Sequence, residues 1–70
     1  MLGSNSVAYF EKYNGSSQSI VDGLKAIGVN TSFDYRKQIA AANGINDYCG
    51  RAAENAKLLS LLKTGKLIRP

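Results

Sequence analysis

Apolar residues along this chain fall into three clusters with helical spacing, separated by short polar stretches that each contain glycine. Ile20, Leu24 and Ile27 share one helical face. Ahead of them, Ser19-Ile20-Val21-Asp22 matches the S-x-x-D capping pattern, in which the serine oxygen accepts an otherwise unpaired N–H of the first turn. Gly28 is the expected stop, because glycine takes the left-handed conformation without steric cost, and Val29 then folds back as the apolar residue of a Schellman motif. The second cluster repeats this grammar. Thr31-Ser32-Phe33-Asp34 is its start, Tyr35, Ile39 and Ala42 keep helical spacing, and Asn43-Gly44-Ile45 is its stop. A third helix is predicted from about Arg51 to Thr64, ending at Gly65, with Ala52, Ala56, Leu59 and Leu62 along one face. Leu58 and Leu61 widen that stripe. A face so broad is buried on more than one side, in a tight core or against a partner subunit.

The flanks read differently. Val7 to Tyr13 is rich in aromatics and leads into the turn-forming Asn14-Gly15-Ser16-Ser17, so a short strand or extended arm is expected there. Lys66-Leu67-Ile68-Arg69-Pro70 alternates and can pair with the Tyr9 segment. Residues 1–8 begin with a small, polar run that lacks the apolar surface to order itself, and are read as a linker. Residues 9–70 form the domain. The expected fold is mainly α, a small three-helix unit whose N-terminal arm or short strand pairs with the C-terminal residues.

Length sharpens this picture. A chain of 70 residues holds one domain and buries only about 60% of the surface its unfolded form exposes. Domains of this size usually need staples. A single cysteine, Cys49, and the absence of histidine leave no internal disulfide and no sulfur and imidazole ligand set for zinc, so no metal and no cofactor is expected. Self-association is the remaining route, and a dimer or tetramer joined through Leu58, Leu61 and Leu62 is expected. No apolar run approaches the ~20 residues that span a bilayer.

Nine Lys and Arg against five Asp and Glu give a net charge of +4, a surface that attracts polyanions without choosing among them. Histidine, the commonest general base, is missing, and the five carboxylates are scattered. Asp22 and Asp34 have a simpler role at helix N-termini than in a glycosidase-type acid pair. Cys49 has no His partner to lower its pKa and is expected to be a half-buried structural thiol. The chain therefore reads as a binding module rather than an enzyme. Candidate ligand contacts are Tyr13, Tyr35, Arg36, Lys37 and Tyr48: tyrosines offer flat apolar faces with polar rims, and Arg36 with Lys37 presents charge to a phosphate or carboxylate. The alternative is a helix-turn-helix DNA-binding protein in which Arg36, Lys37 and Gln38 face the major groove. The connector from Gly28 to Ser32 is long for that motif's compact turn.

The order Ser19-Ile20-Val21-Asp22-Gly23-Leu24-Lys25, Tyr35-Arg36-Lys37-Gln38-Ile39-Ala40, Ala41-Ala42-Asn43-Gly44-Ile45 and Lys63-Thr64-Gly65-Lys66-Leu67-Ile68 resembles the C-terminal cell-wall-binding domain of endolysins and autolysins from Gram-positive bacteria and their phages. Such domains commonly follow an N-acetylmuramoyl-L-alanine amidase or another peptidoglycan hydrolase domain. The resemblance implies noncovalent attachment to peptidoglycan or an associated wall polymer, which raises the local concentration of a tethered hydrolase. It implies as partners the wall polymer, further copies of the chain and a full-length parent endolysin, with neither nucleic acid nor membrane involved. The implied location is the host cytoplasm during phage production and then the wall at lysis, or the extracellular wall for an autolysin.

Overall fold

The structure, a computed structural model, describes residues 8–70. The expected linker lies outside the described residues except for Ala8. Three helices follow in order: α1 (Ile20–Ala26), α2 (Phe33–Ala42) and α3 (Ala52–Lys63). The fold is mainly α, as the spacing predicts.

Each helix begins and ends for local reasons. The Ser19 hydroxyl accepts from the Asp22 N–H at 3.3 Å, and the Ser32 hydroxyl accepts from the Tyr35 N–H at 3.2 Å. For α3 the cap is reversed: the Glu54 carboxylate reaches back to accept from the N–H of Cys49 at 3.0 Å and of Arg51 at 3.1 Å. These two donors hold the Glu54 carboxyl below its ordinary range, that of Cys49 contributing most. All three helices close with the same pair of bonds across a left-handed glycine. In α1, the Gly28 N–H donates to Lys25 O and the Val29 N–H to Leu24 O; Gly44 with Ile45 and Gly65 with Lys66 repeat this for α2 and α3.

α1 packs directly on α3. The approach is close because Gly23 lacks a side chain: a Cβ there would lie 2.9 Å from Leu62 and 3.4 Å from Leu59. Around this seam Phe10, Ile20, Leu24, Ile39, Tyr48, Leu58 and Leu67 complete one core. The buried stripe of α3 is therefore Leu58, Leu59 and Leu62, whereas Ala52 and Ala56, expected on the inner face, are exposed. Of the residues expected at an oligomer interface, Leu58 and Leu62 are buried in the chain's own core and Leu61 is half-buried.

The N-terminal arm does pair with the C-terminal residues, among the described residues through one antiparallel bridge, between Tyr9 and Ile68, rather than a strand. The Phe10 N–H donates to Leu67 O at 2.9 Å and the Arg69 N–H to Ala8 O at 2.8 Å. The other edge of the C-terminal segment is held by a side chain. Asn43 accepts from the Ile68 N–H at 2.9 Å and donates to Ile68 O at 2.9 Å and Ile39 O at 2.8 Å. One amide thus plays the part of a neighbouring strand. It stops the segment from presenting unpaired backbone groups against the end of α2.

Candidate ligand-binding site

Of the residues singled out by sequence, the fold joins Arg36 and Tyr48. Arg36, one turn into α2, donates from Nε to Thr31 O at 3.1 Å and from Nη1 to the Tyr48 hydroxyl at 2.9 Å. That hydroxyl donates onward to Asn55 Oδ1, and Asn55 Nδ2 donates to Gly50 O at 3.1 Å. A polar chain therefore runs from α2 through the loop before α3 into the first turns of α3. Both acceptors of Arg36 are neutral oxygens, so the bonds fix the guanidinium without cancelling its charge. Tyr48 itself is only 3% exposed. Expected as a ligand contact, it instead stands behind Arg36 and orients it.

Phe33 completes the cluster, although an aromatic at a helix start carries the sequence signature of one more core residue. It is 45% exposed. Its ring centroid lies 5.6 Å from that of Tyr48 and 5.7 Å from the Arg36 guanidinium carbon. Gly50, in the loop beside the ring, takes a left-handed φ of 78° that favours glycine. Next to Arg36 in sequence, Tyr35 is half-buried against the core, and Lys37 is exposed.

Tyr13 belongs to another neighbourhood, on the α1 and α3 side. Its N–H donates to Leu62 O at 3.1 Å and its hydroxyl accepts from the Ser17 N–H at 3.1 Å. A Cβ on Gly15 would run into its ring. Ser17 in turn donates to the Asp22 carboxylate at 3.0 Å, so Asp22 orders the entry to α1. Nearby, a cleft of about 300 Å³ is lined by Gln18, Ala56, Leu59, Ser60, Lys63 and Thr64. Cys49 is exposed rather than half-buried, with its thiol 3.3 Å from Asp47 O. It lies in the loop where Asp47 and Gly50 take positive φ, and that turn directs the backbone N–H, not the sulfur, at Glu54.

Fold and cluster together define a small helical domain that carries a hydrogen-bonded cation over a partly exposed aromatic ring. Fifty-three residues of the chain, 76% of its length, are 40% identical to part of the L-alanyl-D-glutamate peptidase of Listeria phage A118, and they cover 19% of that protein. The chain is thus related in sequence to a phage peptidase, and it spans about a fifth of the length of that relative. No protein-family model matches the chain. No solved structure matches it either.

Proposed function

We propose that this chain is a non-catalytic module that binds peptidoglycan or an associated wall polymer and holds a peptidoglycan hydrolase, such as a phage endolysin, on the bacterial wall. The observation that carries this is the similarity to a short stretch of a phage peptidase whose name specifies an L-alanyl-D-glutamate bond, a linkage of wall stem peptides. Several features of the chain itself favour holding over cleaving. It contains no histidine, Glu54 is engaged in capping α3, and Asp22 is engaged by Ser17. The contact residues on this reading are Arg36 and Lys37, supported by Tyr35 and by Tyr48 from behind, with Tyr13 in a separate neighbourhood against α1 and α3. In dimers or tetramers the module would gain avidity.

The direct test is co-sedimentation of a fluorescent fusion with purified Gram-positive walls, compared with retention on duplex DNA, each at two salt concentrations. Wall binding that persists at high salt supports the proposal, because nonspecific attraction to phosphate fades steeply with salt. Retention on DNA alone would replace it with the helix-turn-helix alternative. Replacing Arg36 and Lys37 together with alanine is expected to weaken wall binding while leaving the circular dichroism spectrum unchanged. Light scattering reads the assembly, and a monomer at micromolar concentration removes the avidity from the proposal.

A further inference from the structure

Resting on the wall-binding proposal above, we infer that Phe33 and Arg36 form a two-point site for a sugar ring that carries a carboxylate. Phe33 is an aromatic ring with nearly half of the residue in water, packed at a tilt against the Tyr48 ring. Such a surface suits the C–H face of a pyranose. The Arg36 guanidinium carbon lies over the Phe33 ring, 5.7 Å from its centroid; the group has committed Nε and Nη1 to Thr31 and Tyr48 and remains half-buried and charged. Arginine's rigid fork pairs with a carboxylate through charge-assisted hydrogen bonds. Because the Tyr48 and Asn55 chain already fixes the fork, little side-chain freedom is lost on binding.

The ring decides between ligand classes. A polyol phosphate chain satisfies the charge of Arg36 and leaves Phe33 without a partner. A neutral amino sugar does the reverse. A sugar whose ring and carboxylate belong to one residue uses both contacts at once, across a distance that fits a ring with one substituent.

The inference is tested by NMR titration of the full chain with N-acetylmuramic acid. N-acetylglucosamine serves as the control with the ring and no carboxylate, and glycerol phosphate as the control with an anion and no ring. N-acetylmuramic acid should shift the Phe33 ring and Arg36 Nε resonances, and both controls should bind about tenfold more weakly or worse, the effect of losing one charge-assisted or stacking contact. Phe33→Ala and Arg36→Gln should each abolish the response, Arg36→Lys should weaken it, and Lys57→Ala on the exposed face of α3 should leave it unchanged. Circular dichroism establishes that each variant is folded. Equal response to either control, or shifts confined to other residues, overturns the inference. Co-sedimentation separates the two levels. If the wild-type chain and both Phe33→Ala and Arg36→Gln bind walls equally, the site is wrong and wall binding stands; if the wild-type chain stays in the supernatant, the wall-binding proposal fails and takes the site with it.

Discussion

Where α1 meets α3 the contact is dry: Gly23 lies against Leu59 and Leu62, with Leu24 and Ile20 sealed in the same core. Where α2 is tied to α3 the link is polar, running from Arg36 through Tyr48 to Asn55. The first contact gains free energy in proportion to the apolar surface it removes from water. The second exchanges hydrogen bonds with water for hydrogen bonds within the protein, which returns little net stability per bond and instead fixes geometry. The chain thus concentrates its stability in one seam and its positional order in the other. The ordered arginine sits at the seam that contributes less to stability, where it remains charged and half-exposed.

This division is open to direct attack. Leu62→Ala should cost about 2–5 kcal/mol, since a fully buried leucine at the centre of the dry seam leaves a cavity that a small core fills poorly; urea denaturation monitored by circular dichroism reads the loss. Gly23→Ala, which adds a single methyl to the same seam, should cost about 1–3 kcal/mol by overpacking against Leu62. A neutral result there would mean that α1 can slide away from α3 and that the seam is looser than its distances. Tyr48→Phe keeps the ring and removes the hydroxyl between Arg36 and Asn55, so about 1 kcal/mol of stability should go, while wall binding should fall further than that loss of folding explains. If stability drops as far as in Leu62→Ala, the contrast between the seams disappears.

The smallest effect concerns pH. Glu54 binds the N–H groups of Cys49 and Arg51 as a carboxylate, so its folded pKa lies below that of the unfolded chain. Its contribution is therefore complete above the ordinary carboxylate range and is lost as pH falls through the folded value. Glu54→Gln should flatten that acidic part of the stability profile, measured as the urea midpoint against pH, without altering the polar link at Arg36.

Asn43 joins these two regimes, because its amide ties down by polar bonds a C-terminal segment whose Leu67 is sealed in the core. Asn43→Ala leaves the Ile68 N–H and C=O without their partner, and a loss of about 1–3 kcal/mol is expected. Faster amide exchange at Ile68, with Phe10 following, would locate the damage in the arm. Slow exchange at both would show that the bridge to Tyr9 holds the segment unaided.

What was legible in the sequence and what was not divides by distance along the chain. The caps at Ser19 and Ser32 and the stops at Gly28, Gly44 and Gly65 were readable because each joins residues a few positions apart. The pairing of Arg36 with Tyr48, twelve positions on, and of Asn43 with Ile68, twenty-five positions on, left no such trace. Leu58 and Leu62 looked available to a partner because helical spacing reports that a face is apolar without saying what covers it.

The sequence alone determined that this chain forms three helices, where each begins and ends, and that it carries excess positive charge without histidine, because all of these depend on composition or on contacts within one turn. Only the tertiary structure decided that Tyr48 turns inward, that Phe33 stays half in water beside Arg36, and that Asn43 holds the C-terminal segment. Those outcomes depend on which surfaces meet when the helices pack, and packing is settled by the fit of the whole core.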